Sequence, residues 1–518
     1  MNQRILSILD SIRIGDKNSP IKVIFAFTQA WSTIKERINL SFMKKIFLFT
    51  FFALCISVPL AVSSLTSRDP SVQKFAQSMD FLYARTFGTF SSSTENGITK
   101  YIFTPAWKIS SPTSPLPPAQ NQERIRLTQH DLSYLGAFRL PKEANGPSRF
   151  GYGGGALAFN PHGDPNGAND GYPGSLYILG HEHDQMLAEV NIPSPIDQRN
   201  KSLSSLNTAG FLHGFVDITG GLAQQFDAGN GYRVDGLAYL EAQGSQASPK
   251  IYWTARTYYN VDGSSDPSHG LSDADLSHPN AKGMWRLGDY TGMMTGGYIF
   301  PVPSYFADAY LGRKRLISGL FTQQGVSHTS QGPAMFAYGP WLDDPQNKGI
   351  THNSKLATQA LLYYPYTTNF TVPGGDPIGN FPDHQVPDHW EAASWVHTPE
   401  KHAVLLVGRR AMGVTYYGDA RPNDCDIYKG YHGEPYEPRI LFYDPADLAL
   451  AAQNKKDPTT IVPYIEWNPS QFMSKTCDWE LTGAVYDEKN KLLYIMQTNV
   501  DTEGADPTPL LYVFKIKS

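Results

Sequence analysis

Three features of the amino-acid sequence predict an all-β fold, a β-propeller of four-stranded blades. From about Leu127 onward, short apolar runs are separated by Gly, Pro, Asn and Asp, and almost nothing follows a helical period except Pro445–Asn454 (PADLALAAQN). Gly (45) and Pro (38) together make up about 16 % of the 518 residues, against a usual background of roughly 12 %, which favours many turns. The third feature is an internal repeat: WEAASWV from Trp390 and HAVLLV from His402 match WELTGAV from Trp479 and KLLYIM from Lys491, 89 residues further on and without a gap. Each copy reads as a strand, a polar hairpin and a second strand buried on both faces.

Weaker copies lie earlier in the chain. Gly155–Phe159 goes with Ser175–Leu179, Gly236–Tyr239 with Lys250–Thr254, and an indistinct unit surrounds Leu316–Phe321. Second hairpins are visible as Ala188–Pro193, Arg439–Asp444 and Leu510–Lys515. Two hairpins per unit make a four-stranded blade, and radial repetition of such sheets is a propeller. Five blades fit best, with room for six or seven if further blades hide in Ile196–Gly231 or Asn260–Pro303; a β-sandwich of tandem hairpins is the competing architecture.

Ahead of this body the sequence predicts an export signal. Ile46–Val62 is an unbroken apolar run preceded by Lys44 and Lys45 and followed by small residues, so residues 43–64 read as a signal peptide or, uncleaved, a single-pass anchor. Residues 1–42 read as an upstream extension before Met43. Residues 65–123 are an N-terminal segment, with a short helix expected around Val72–Thr86 and a Pro/Ser-rich linker at Ser110–Gln122, so the propeller should span 124–518. A secreted or periplasmic location follows, with membrane contact only through residues 46–62 if they are retained. After export two cysteines remain, Cys425 and Cys477, and an oxidising compartment favours their pairing.

The stretches Trp390–Val396, Arg439–Leu448 and Gly483–Asp501, with the opening FGYGGGALAFNP and LYILGHEHD, resemble a family of exported bacterial propeller-like proteins over most of Asp131–Ser518. The resemblance implies the fold and export. It implies no activity, because none is established for that family.

Propeller geometry gathers particular residues at one mouth. The connections between blades and the loops after second strands share a face, so His181, Arg256, Arg409 and Thr498, each just past a second strand, should be equivalent. Asp235, Asp388, Glu391 and Glu480, just before or within first strands, join them, with Tyr258 and Tyr416 in the following loops and Trp390 and Arg410 beside them. Such a mouth is the default ligand site. A competing reading makes the Trp-Glu pairs blade-closing devices and pairs Arg256 and Arg409 with those carboxylates. No cofactor is required. Zinc could be held by His181, His183 and Asp184 if the two imidazoles share one face of a strand, and Asp164–Gly171 loosely resembles a calcium loop without its closing Glu.

The chemistry these residues suggest is carbohydrate-directed. Net charge is −5, with 43 Lys+Arg against 48 Asp+Glu and no basic stretch, which sets nucleic acid aside. No nucleophile elbow, Walker loop, zincin motif or C-x-x-C is present. Aromatic residues, 13 % of the chain, suit sugar stacking as well as strands. On an acidic glycan a lyase would use Arg256 or Arg409 to neutralise the uronate, His181 or His183 as base and Tyr258 or Tyr416 as acid, while a glycosidase would use two of Asp235, Asp388 and Glu391. Trp390, Arg410, Tyr416 and Glu480 would bind substrate. The alternatives are a non-catalytic propeller that binds a cell-surface glycan or protein, and an anchored structural protein of the envelope; a monomer is expected.

Overall fold

The computed structural model describes residues 124–517 except 165–166, 168–169, 200, 227–230, 259–265, 321–327, 347 and 366–380, together with the backbone of three strands further upstream. The expected signal segment, the linker, the helix expected at Val72–Thr86 and half of the calcium-like loop lie outside the described residues. The upstream strands Leu65–Ser67, Gly88–Glu95 and Ile98–Pro105 form a small antiparallel sheet, which the sequence reading did not anticipate. It belongs to a unit separate from the body that begins at Gln120.

That body is a five-bladed β-propeller. Blade 1 runs Leu157–Asn160, Ser175–Leu179, Leu187–Asn191 and Phe211–Val216. Blade 2 is Tyr232–Leu240, Lys250–Thr257, His269–Asp273 and Lys282–Leu287. Blade 3 is Ile299–Pro301, Leu316–Ser318, Met335–Tyr338 and Gln359–Leu362. Blade 4 is His389–His397, Lys401–Ala411, Tyr436–Tyr443 and Ile465–Trp467. Blade 5 takes Leu481–Asp487, Leu492–Asp501 and Thr508–Ile516 from the C-terminus, and its outermost strand is Leu132–Arg139 from the start of the body. That N-terminal strand pairs antiparallel with Thr508–Ile516 and closes the ring, leaving no first or last blade exposed.

The first strand of every blade is the innermost, and each touches the first strands of both neighbours around the axis. The segments in which extra blades could have hidden are accounted for. Ile196–Gly231 carries the outer strand of blade 1, and Asn260–Pro303 carries the outer half of blade 2 and the first strand of blade 3. The run around Leu316 is the second strand of blade 3.

Five apolar layers, one between each pair of adjacent blades, make up the core. This explains why second strands read as continuous apolar runs: along Lys401–Ala411, Val404 and Leu406 face blade 3 while Ala403, Leu405 and Val407 face blade 5. In blade 2, Ile251, Trp253 and Ala255 face blade 1 and Tyr252 faces blade 3. Each large side chain so buried contributes about 1.5–3 kcal/mol. The helix expected at Pro445–Asn454 forms over Pro445–Ala452, with Asp444 as N-cap accepting from the Ala446 N–H and Pro445 in the first turn, and it lays Leu448 against the layer between blades 3 and 4.

One detail of the repeat is corrected. In blade 4 Ala392 pairs with Val407, whereas in blade 5 the residue opposite the equivalent Met496 is Gly483. The first strands are thus 91 residues apart while the second strands are 89 apart, because the blade 5 hairpin is one residue pair shorter: it ends at Asp487↔Leu492, where blade 4 continues from the equivalent Val396↔Ala403 to His397↔His402. Glu391 therefore corresponds to Thr482, and Glu480, two residues earlier, corresponds to His389.

Candidate functional site

Three first strands carry a β-bulge at the same level: between Val234 and Gly236, between Trp390 and Ala392, and between Leu481 and Gly483. A bulge inserts one unpaired residue and re-aims its side chain. Two of the three bulged residues are acidic, Asp235 and Glu391. Opposite the strand starts, the cross-strand pairs Gly153↔His181, Arg233↔Arg256 and His389↔Arg409, with the Thr498 N–H donating to the Glu480 carbonyl, place His181, Arg256, Arg409 and Thr498 at one level of four blades.

At this mouth the cations are already engaged. Arg256 Nε lies 2.5 Å from Asp235 Oδ2, an ionic contact whose angle is not that of a directed hydrogen bond, and Arg256 Nη1 donates to the Tyr258 carbonyl at 3.0 Å. Arg409 Nη1 reaches the Asp478 carbonyl at 2.9 Å and Glu480 Oε1 at 3.4 Å, while its guanidinium sits 4.2 Å above the Tyr436 ring. Arg233, on the adjoining strand of blade 2, pairs with Glu182 Oε2 at 3.0 Å and lies over the Tyr258 ring at 4.7 Å.

Glu391 differs from these groups. Its carboxyl is ringed by protein, and the side chain is 29 % exposed. Desolvation, reinforced by the charges of Glu480 and Asp235 and opposed by Arg409 and Arg256, pushes it up to about 7. Burial also pushes Glu480 up, with Arg409 pulling the other way. Beside Glu391 stands His389, whose Nδ1 is 3.9 Å from Glu391 Oε1 and whose two ring nitrogens have no hydrogen-bond partner. Burial, with Arg409 and Arg256 adding to it, holds this imidazole neutral, well below its ordinary range. The sequence reading passed over His389, Glu182 and Arg233. The signal that could have found His389 is its register position opposite Arg409.

Several expected site residues lie elsewhere. Trp390 and Arg410 point away from the mouth because Trp390 precedes Glu391 and Arg410 follows Arg409 by one residue, and successive side chains of a strand face opposite ways. Trp390 is fully buried in the layer between blades 3 and 4, and Arg410 is saturated by Asp388, Glu466 and the carbonyls of Pro382 and Asp383. Asp388 is likewise buried, accepting from the Gln385 and Ala411 N–H groups, so both are structural. Tyr416 belongs to a surface hairpin of blade 4, its hydroxyl on Asp424.

The zinc expectation also fails on geometry. The strand ends at Leu179, and His181–Asp184 is a tight turn in which the Asp184 N–H returns to the His181 carbonyl at 3.0 Å. His181 Nδ1 instead accepts the His183 N–H at 3.1 Å, His183 is largely exposed, and Asp184 takes a hydrogen bond from Ser148. Among the described residues the one group of three ligands within reach of a common ion is Asp424, His432 and Glu434. Cys425 and Cys477 are bonded, with Cα atoms 5.4 Å apart, tying the loop after the second strand of blade 4 to the start of blade 5 as expected. Among the described residues no helix is long and apolar enough to cross a membrane.

No family model matches the chain, and no curated protein matches it in sequence. Among solved structures it is similar to an α-L-arabinanase of Penicillium chrysogenum complexed with arabinobiose, at 10 % identity and a TM-score of 0.29, covering 74 % of this chain and 98 % of that one.

Proposed function

We propose that this propeller acts on a glycan at its mouth as a glycoside hydrolase, with Glu391 as general acid and Asp235 as the second carboxylate. The observation that carries the reading is a pair of acidic residues on bulges of two innermost strands, with opposite environments. Glu391 is desolvated and holds its proton near neutral pH, whereas Asp235 lies against the Arg256 guanidinium. Glycosidic cleavage needs such a division: one carboxylic acid protonates the leaving oxygen, and one carboxylate stabilises the oxocarbenium-like centre or serves as nucleophile or base. His389, neutral and beside Glu391, keeps a second positive charge away from the acid. The sugar would enter from the open side, with Tyr258 at the rim.

Charge balance favours a neutral glycan over the acidic one the sequence suggested. Arg233, Arg256 and Arg409 each already meet a carboxylate, so none stands ready to neutralise a uronate, and the lyase chemistry loses its cation. The same pairing favours a second reading, a mouth that binds glycan without cleaving it. Export to the periplasm or beyond fits both readings and is consistent with the disulfide.

The test is release of reducing ends from a panel of neutral and uronate-containing polysaccharides. Activity that Glu391→Gln and Asp235→Asn each abolish, and that declines on the alkaline side as Glu391 loses its proton near pH 7, supports hydrolysis. A flat result across the panel, with retained glycan binding by affinity electrophoresis, leaves the binding propeller.

A further inference from the structure

We infer that Asp424, His432 and Glu434 form a site for one divalent transition-metal ion, zinc foremost, in the loop of blade 4 that carries Cys425. The strands Tyr416–Gly418 and Gly430–His432 pair as a hairpin, with Tyr416 opposite His432 and its ring stacked on the imidazole at 4.8 Å. His432 is completely buried, and neither ring nitrogen has a hydrogen-bond partner. Its Nδ1 lies 3.7 Å from Asp424 Oδ2 and 3.7 Å from Glu434 Oε1.

That spacing is too long for hydrogen bonds and suits two edges of one coordination sphere. With metal–ligand bonds of about 2.1 Å, 3.7 Å between donors subtends an angle of about 120° at the ion, near the tetrahedral arrangement zinc adopts. An imidazole with two carboxylates suits zinc and its neighbours better than calcium or magnesium, which favour oxygen alone. Two carboxylates and a neutral imidazole carry a charge of −2, which a divalent ion cancels. A buried imidazole with no partner is otherwise costly.

The supporting contacts orient the donors. Asp424 Oδ2 accepts from the Tyr416 hydroxyl and, at 2.5 Å, from the Arg421 N–H. Glu434 accepts from the Cys425 N–H at 3.0 Å through Oε1 and from the Gly433 N–H at 2.9 Å through Oε2. Donors that hydrogen-bond ligating carboxylates in this way are the usual outer layer of a metal site. The ion would fasten the hairpin to the disulfide loop, next to the wall that Tyr436 and Arg409 make at the mouth.

The test uses the full chain, stripped with chelator, desalted and titrated with Zn²⁺ calorimetrically and with Co²⁺ by visible absorption. The expected result is one ion per chain, d–d bands with Co²⁺, and affinity lowered roughly tenfold or more in His432→Gln and in Asp424→Asn, with His183→Gln unchanged as control for surface histidines. Affinity unaltered in both variants, or less than a tenth of an equivalent bound at saturation, overturns the site. If His432→Gln does not fold, as judged by circular dichroism, Asp424→Asn decides. Glycan cleavage is not the readout, so this outcome is separate from that of the hydrolase reading.

Discussion

Glu391→Gln should stabilise the protein in a pH-dependent way, with no substrate needed to see it. The folded carboxyl titrates at about 7 and an unfolded glutamate at its ordinary 4.5. Between those values the folded state holds a proton the unfolded state has released, so stability falls as pH rises through this window. Moving from 4.5 to about 7, at 1.36 kcal/mol for each tenfold change in proton affinity, makes the full cost about 3 kcal/mol, an upper bound because the side chain keeps 29 % exposure. Glutamine keeps the shape and never ionises. Relative to wild type it should be near neutral at pH 4.5 and stabilising by up to about 3 kcal/mol at pH 8, or about 4 °C in Tm for a body of this size. The assay is urea unfolding followed by tryptophan fluorescence, for both proteins, across pH 4.5–8.5. Glu480→Gln should shift the window downward, since the Glu480 charge helps hold the Glu391 proton on. A wild-type-minus-variant difference that stays flat across the range, or that favours wild type at pH 8, would refute the placement of Glu391 in a desolvated cluster of like charge.

Three further outcomes are expected. Replacing Cys425 and Cys477 by Ser releases a loop closed over a separation of 52 residues and should cost about 4 kcal/mol by chain entropy, read as a drop in urea midpoint that reduction of wild type reproduces. Gly408→Ala would put a Cβ 1.9 Å from the His389 carbonyl oxygen and should cost about 1–3 kcal/mol, while Gly430→Ala, whose Cβ meets nothing within 4 Å, should leave Tm unchanged. His269 is fully buried between Ser268 and Ser318 and is lowered to about 3 by desolvation, so its neutral form supports stability above pH 6.5 and that support is lost as pH falls below it; His269→Gln should flatten the acid limb of the stability profile, and an unchanged limb would count against it.

Second strands were legible because they face a neighbouring blade on both sides, and that geometry writes itself as runs such as Val404–Val407 and Leu492–Met496. Blade 3 was faint for the opposite reason. Its strands are only three or four residues long, and Ile299–Pro301 is flanked by a helix at Ser304–Tyr310 that carries its own share of the apolar layer through Phe306 and Ala307. The closing strand Leu132–Arg139 pairs with residues almost four hundred positions away, and no local period announces such a partner. At the mouth, Arg256, Arg409, Asp235 and Glu391 could be found by aligning strand ends. Trp390 and Arg410 were misplaced because strand alternation turns each away from its neighbour, Glu391 or Arg409, and aligning strand ends does not by itself apply that period.

The mismatch between the two Trp-Glu copies makes the same point about chemistry. Equal sequence offsets suggest that Glu391 and Glu480 are symmetric members of a ring, which would make both of them blade-closing residues. The blade 5 hairpin, one residue pair shorter, breaks that symmetry. Glu480 comes to rest on Arg409 as a salt-bridge partner, while the bulge position of blade 5 is filled by Thr482, whose hydroxyl donates to the Gly154 carbonyl of the adjoining lead-in to blade 1. Blade 5 therefore spends its bulge on joining blades. Blade 4 leaves Glu391 without a guanidinium of its own, next to a neutral imidazole and within the field of two other carboxylates. A residue kept only for closure would gain from a partner; an acid that must give up a proton at neutral pH needs this isolation.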